Sequence, residues 1–294
     1  MFTFGFTNYI DMIYLTACNR GATMYAKLTD EEYFARPELN QSTIKNILKM
    51  TPESFSWHVN NKTEKTQAMH FGSMLHTYVL EPESIFNKRY IRIDVSELKT
   101  KYKNYKASKE YKDIVAKLKH DNPDAELIDN SELAEVLEAS KSIYSRLSGI
   151  ILSSDTETAI INELHGEQCK GKVDIINFEQ KIIADIKTTS DELTDESIKR
   201  HIYKWDFPIQ AAFYCDLAKK EFGIDFTFMF CLVSSKPPYH SRLVICSDQL
   251  TPDFMNRGRY KIEEGVTLWK LYKSKSQSFY QSTHIFPDDV PAWY

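Results

Sequence analysis

The 294-residue chain has little of what punctuates or staples a fold: nine glycines, ten prolines and five cysteines. Neither Gly nor Pro clusters, so no flexible linker or low-complexity tract divides it, and no period recurs that would make it a repeat array. Apolar residues are interrupted by charges before any stretch reaches the roughly 18 residues of a membrane span, which excludes one. The opening Met1-Phe-Thr-Phe-Gly-Phe lacks a basic segment and a small-residue cleavage site, so no secretory signal is expected. Cys18, Cys169, Cys215, Cys231 and Cys246 show no paired ligand spacing. An iron-sulfur cluster is therefore not expected, and the thiols read as reduced, in a cytoplasmic compartment. An excess of positive charge is missing as well: 37 basic residues face 41 acidic ones, a net charge of −4. That is not the balance of a protein that coats DNA, so any nucleic-acid contact must be local.

What is present is a run of short strand patterns carrying acids. Lys172-Val-Asp174-Ile-Ile-Asn and Lys181-Ile-Ile-Ala-Asp185-Ile186-Lys187 are β-branched and short, with Asn177, Phe178, Glu179 and Gln180 as the turn between them. Pairing centred near Gln180 sets Asp174 opposite Asp185, with Cβ atoms about 4.5–5.5 Å apart. Lys187 falls on the face of Asp185, about 6.6 Å further along, and Ile186 points to the opposite layer. Two close carboxylates repel, and a hard divalent ion resolves the conflict. A lysine beside them can orient water or steady a pentavalent phosphoryl group. An exposed Asp/Lys ion pair on a surface hairpin is the plainer alternative.

A preceding strand, from Asp155 to His165, turns at Gly166-Glu167-Gln168. A turn centred between Gly166 and Glu167 sets Asp174 opposite Ala159, which leaves Glu157 about 7 Å away along the strand and Glu163 about 13 Å away. Glu157 is the better third carboxylate, and Glu163 is held in reserve against a register slip. In His70-Phe-Gly72-Ser73-Met-Leu-His76, Gly72, Ser73 and His76 share a helix face; His76 is a metal ligand or a buried histidine satisfied by a carbonyl. His70 and His165 carry only the second reading. Gln210 and Tyr214 are side by side on a helix entered at Pro208, able to bond a phosphate or the lysine, or to fill the core.

From Lys99 to Lys119 eight lysines face only Glu110 and Asp113. With Tyr102, Tyr105 and Tyr111 interleaved, Lys99, Lys101, Lys103 and Lys106 are candidate contacts for backbone phosphates, against the alternative of a solvated helix.

These residues resemble the PD-(D/E)xK nucleases, and within them the RecE (exodeoxyribonuclease VIII) nuclease domains. The resemblance runs through Glu31-Glu-Tyr-Phe-Ala, Asn40-Gln-Ser-Thr-Ile-Lys, Thr51-Pro-Glu-Ser-Phe, the His76 motif, Glu157, Lys172-Val-Asp174, Asp185-Ile-Lys187-Thr-Thr, Gln210-Ala-Ala-Phe-Tyr214 and Val290-Pro-Ala-Trp293. Val173 stands where the naming proline would be, a position with no catalytic group. The resemblance implies that His76, Glu157, Asp174, Asp185 and the Ile186 carbonyl surround Mg2+, with Mn2+ as a substitute. It implies that Lys187 is catalytic and that Gln210 and Tyr214 support it. It further implies a 5′ to 3′ double-strand DNA exonuclease that leaves 3′ single strands for phage-type recombination in a bacterial or phage-infected cell. Double-stranded DNA ends, a single-strand annealing protein and a homo-oligomeric ring are the implied partners. A metal-dependent endonuclease or single-strand nuclease, and a non-catalytic DNA-binding subunit on a nuclease fold, are the alternatives.

The expected architecture is α/β: a restriction-endonuclease-like core with a central mixed sheet flanked by helices. Residues 1–26 read as an extension, with residues 1–23 an added or misassigned start, and 27–294 as one domain. Its helical part is 27–150 and its sheet core 151–294. Strands are expected at 157–164, 170–177, 181–188, 226–233 and 241–246, and helices at 208–221 and 251–275, with a cap at Asn130-Ser131 before a helix.

Overall fold

A computed structural model describes residues 24–61 and 66–275. Residues 1–23, Cys18 and the Val290-Pro-Ala-Trp293 motif lie outside these. Strand β1 (Met24–Lys27) opens the described chain, followed by helices α1 (Asp30–Ala35), α2 (Gln41–Lys49), α3 (Pro52–Asn60), α4 (Gln67–Leu80) and α5 (Glu83–Arg89). Next come β2 (Tyr90–Ile93), α6 (Ser96–Lys101), α7 (Lys109–Asp121), β3 (Glu126–Asp129) and the long α8 (Asn130–Ile151). The remainder consists of β4 (Asp155–Leu164), β5 (Glu167–Asn177), β6 (Ile182–Thr189), α9 (Asp195–Lys204), α10 (Phe207–Phe222), β7 (Thr227–Ser234), β8 (Ser241–Cys246) and α11 (Pro252–Lys273).

Six strands form one mixed sheet in the order β1-β4-β5-β6-β7-β8, in which only β6 and β7 are parallel. The expected α/β architecture is thus the one observed. β7 shows why the sheet sits between two layers. Phe228, Phe230 and Leu232 enter one core with α2, α9, α10 and α11, while Met229, Cys231 and Val233 enter a second core with α4 and α8. Both faces are covered, so the strand reads as an unbroken apolar run.

Three expectations are corrected. Met24–Lys27 pairs with β4 at the sheet edge, so the boundary drawn at residue 26 cuts through a strand. The helical part contains a parallel pair, β2 with β3, too short and too charged at Arg92 and Asp129 to stand out as strands. The cap of α8 is Asp129, whose side chain accepts from the Ser131 and Glu132 amides while Glu132 reaches back, a capping box. The helix α9 was not anticipated, because its buried Ile198 and Ile202 are set among charges. Cys169, Cys215, Cys231 and Cys246 are buried and free. No helix among the described residues is long and apolar enough to cross a membrane.

Candidate active site

The site forms where β4, β5 and β6 lose their regular pairing. The β5–β6 ladder pairs Asn177 with Ile182, Ile176 with Ile183 and Ile175 with Ala184, and stops. The next facing positions are Asp174 and Asp185, the register expected from the sequence. There the Asp174 side chain replaces the missing backbone bond: its Oδ2 accepts the Ile186 amide at 2.8 Å. Val173 and Ile175 enter opposite cores although they are two residues apart, so β5 changes phase at Asp174.

The same break occurs on β4. Its ladder with β5 pairs Thr156 with Ile175 and Thr158 with Val173, and omits the Glu157–Asp174 position between them. Glu157 has a φ of 51°, in the left-handed region that costs a non-glycine residue free energy and clusters at functional sites. The expected register is corrected here. The hairpin turns at His165-Gly166, both at positive φ (51° and 69°), one residue earlier than read from the sequence. Glu157, not Ala159, therefore faces Asp174, and Glu163 is exposed about 20 Å away along the strand.

One ligand atom from each of His76, Glu157 and Asp174 falls within 4.8 Å of the others, the only such group of three among the described residues. Gly72 lets α4 bring the histidine in: a Cβ there would stand 3.2 Å from Thr188 Oγ1. His76 Nε2 lies 2.7 Å from the Ile186 carbonyl oxygen, so both readings of this histidine meet in one residue. With Nε2–H donating, Nδ1 turns its lone pair toward Asp174 Oδ2, 3.4 Å away. Two acceptors so placed are stable with a cation or a proton near them. Burial first, and then the Asp185 carboxylate, push the Asp174 carboxyl above its usual range. An imidazole and two carboxylates with excess negative charge fit a divalent ion. Held there, such an ion supplies Lewis acidity at a phosphoryl oxygen and lowers the pKa of water.

Asp185 stands outside this group of three. It is buried at 3 % exposure, its Oδ1 accepts from Gln210 Nε2 at 2.5 Å, and its Oδ2 is ion-paired with Lys187 Nζ. Burial pulls the Lys187 ammonium down, but the Asp185 and Asp174 carboxylates outweigh it and hold the lysine charged. Gln210 thus supports the site through Asp185, and the Ile186 carbonyl serves His76. Tyr214 takes the packing role: it stacks on Phe228 and fills the space over Gly171, where a Cβ would meet its ring at 2.6 Å.

Two lysines of the motifs quoted above have site roles that the sequence does not show. Lys45 of α2 lies 3.5 Å from Gln210 Oε1, and burial, then the Lys187 charge, bring its pKa down to about 7. No short motif links it to β6, from which it is separated by most of the fold. Lys172 bridges Glu157 at 2.8 Å and Asp30 at 2.7 Å. A cavity of about 290 Å³ lies against the acids, walled by Asp30, Ser73, Glu81, Arg89 and Lys172.

The lysine-rich segment lies apart. Lys99 pairs with Asp129 at 3.1 Å and Lys101 with Glu110 at 2.7 Å, whereas Lys103 and Lys106 are exposed. Tyr102, Tyr105 and Tyr111 pack on Leu98 and Val95 in a small satellite core, so base stacking by these rings is not what the structure offers. His70 pairs with Glu126, away from the acids, and His165 occupies a turn.

Comparison with known proteins bears on the fold and the family. A search of curated proteins returned no match. Among solved structures, a candidate exonuclease of Eubacterium rectale superposes with a TM-score of 0.58 at 16% identity, over 89% of this chain and 96% of that one. A phage related exonuclease from Haemophilus somnus 129PT gives a TM-score of 0.35 at 13% identity, over 81% of this chain and 96% of that one. Residues 40–282 match the model of a PDDEXK-like domain of unknown function, DUF3799. That match spans β4 to β6 with Glu157, Asp174, Asp185 and Lys187, and the chain belongs to this PDDEXK-like family, whose fold is that of a nuclease.

Proposed function

We propose that the protein is a Mg2+-dependent deoxyribonuclease that enters at double-stranded DNA ends, degrades the 5′-ended strand and leaves 3′ single strands for phage-type recombination. The observation that carries the hydrolytic reading is the meeting of Glu157, Asp174 and His76 with the Asp185–Lys187 pair at one break in the sheet. Lys187, held charged by Asp185, is positioned to steady negative charge that develops on a phosphoryl group. His76, Glu157 and Asp174 hold the ion, and Asp185 joins them on the strength of the sequence resemblance. The exonucleolytic reading is supported by the sequence resemblance and by the description of the Eubacterium rectale neighbour as a candidate exonuclease, and its direction by the sequence resemblance alone. Lys103 and Lys106 approach duplex phosphates, a homo-oligomeric ring keeps the protein on its substrate, and an annealing protein takes the product strand.

The test is cleavage of linear duplex labelled at one 5′ or one 3′ end, beside closed circular duplex. Release of 5′-labelled mononucleotide from the linear form, with the circle untouched, is expected with Mg2+. Nicking of the circle at a comparable rate would replace the exonuclease with an endonuclease.

A further inference from the structure

A patch of basic and aromatic side chains lies on α9 and the facing turn of α11. Ser197, Ile198 and Ile202 bury one side of α9, which leaves Lys199, Arg200, Tyr203 and Lys204 outward together. Tyr203 is 56% exposed, Trp205 52% and Tyr260 71%. Trp205 lies 6.2 Å from the His201 ring while Tyr203 faces α11, so exposed rings border α9 on two sides. Lys204 Nζ lies 5.5 Å from the Trp205 ring centre and the Arg257 guanidinium 5.4 Å from that of Tyr203. Tyr260 follows one turn after Arg257, on the same face of α11.

Arg200 and Lys204 share a cavity with Asp191 and Glu192, but neither is ion-paired with them. Nearby cations elsewhere are paired: Arg242 with Asp195, Arg259 with Asp216 and Asp248, and both Lys49 and Lys261 with Asp206. Among the described residues, Lys199, Arg200, Lys204 and Arg257 have no carboxylate within ion-pair distance. The acids of α9, Asp195 and Glu196, are confined to its first turn, at the other end from Lys204 and Trp205.

The patch also connects to the catalytic residues. α9 follows directly from β6, and His201 Nδ1 lies 3.5 Å from Thr189 Oγ1, two residues beyond Lys187. Lys49 Nζ donates to the Lys204 carbonyl at 2.9 Å, one helical turn from Lys45, which contacts Gln210. Lys45 and Lys49, the latter paired with Asp206, therefore lie on the way from Lys187 to the Lys204 backbone.

Exposed rings beneath unpaired cations match a single strand, whose bases present faces for stacking while its phosphates take the charge. A duplex keeps its bases stacked on one another and has no use for the rings. We infer that the α9–α11 face, through Tyr203, Trp205, Lys204 and Arg257, binds the single-stranded stretch of nucleic acid next to the cleavage site. This deepens the nuclease reading and rests on it for the placement of the strand.

The test is equilibrium binding of the full chain, in EDTA to prevent cleavage, to a fluorescein-labelled oligothymidine and to a blunt duplex of equal length. Quenching of tryptophan fluorescence by oligothymidine, lost in Trp205→Ala, gives a second readout. Tyr203→Ala with Trp205→Ala is expected to weaken oligothymidine binding about tenfold or more and duplex binding far less. Lys204→Gln with Arg257→Gln is expected to flatten the salt dependence of that binding. Both ring residues are exposed, and circular dichroism melts check that the variants fold. Unchanged oligothymidine affinity in folded variants, or an equal loss on duplex, would overturn the inference. Because cleavage is not read, a protein that binds through Trp205 but hydrolyses nothing would refute the nuclease reading alone.

Discussion

Two charged regions of this molecule use their charges in opposite ways. At the break in β4–β6, carboxylates and ammonium groups are held in or near the core, each touching another: Asp185 with Gln210 and Lys187, Asp174 with His76, Glu157 with Lys172. In the α6–α7 lobe, Lys99 and Lys101 are exposed and satisfied by local partners, and the tyrosines between them face inward. Buried charges interact strongly and cannot be removed singly without leaving a partner exposed to the loss. Exposed pairs are screened by water and salt and contribute little. A dense run of lysines is thus the weaker functional feature, and the five scattered residues His76, Glu157, Asp174, Asp185 and Lys187, brought together by tertiary pairing, are the stronger one.

The sharpest way to break this contrast is to remove an acid. Asp185→Ala or Asp174→Ala is expected to lower single-turnover cleavage by about a thousandfold or more while DNA affinity changes little. Retention of activity would take the substituted acid out of the site. A smaller loss, about 10–100-fold in kcat, is expected for Gln210→Ala and for Lys45→Met, since both act through Asp185 and Lys187. Wild-type rates in Lys45→Met would reduce that buried lysine to packing.

The contrast extends to stability. A Cβ on Gly258 would stand 2.1 Å from the Pro208 carbonyl oxygen, so Gly258→Ala is expected to cost about 1–3 kcal/mol in urea unfolding by forcing α11 off the helix that carries Gln210. An unshifted midpoint would mean that the α10–α11 contact relaxes freely. The Asp174 carboxyl has a folded-state pKa raised by burial and Asp185, so the folded state holds its proton more tightly than the unfolded one. Its contribution is complete below the ordinary carboxylate range and is lost as pH rises through the raised value. Without divalent ions, Asp174→Asn should therefore melt a few degrees above wild type in mildly alkaline buffer, with the gap closing in acid. Added Mn2+ or Mg2+ should raise the wild type and leave the variant unmoved. The smallest effects belong to the lobe: Lys103→Ala or Lys106→Ala should reduce the salt slope of duplex binding by about 1 each. Lys99→Ala, whose charge already meets Asp129, should change it less.

The parts legible in the sequence were those set by short-range pattern. The Asp174–Asp185 register followed from a four-residue turn, and the strands from their β-branched runs, because both depend on neighbours close in the chain. Glu157 was identified as the third carboxylate from an incorrect register; its true position depends on a turn at His165-Gly166 and a left-handed residue, neither of which strand patterns encode. Lys45 and Lys172 lie in motifs that carry the resemblance, but their place in the site, like that of Asp30, does not show in the sequence because their contacts span the sheet and the helical part. The opposite error, weight given to Lys99 and Lys101, came from counting charge without its partners.

The most direct measurement is release of nucleotides from a linear duplex by the purified protein, in Mg2+ and in EDTA, beside Lys187→Met of equal thermal stability. Cleavage by the wild type in Mg2+, with none in EDTA and at least a hundredfold less from the variant, about the loss of one stabilising donor, is the expected result. Equal cleavage by Lys187→Met, or cleavage that persists in EDTA, would contradict the site described here.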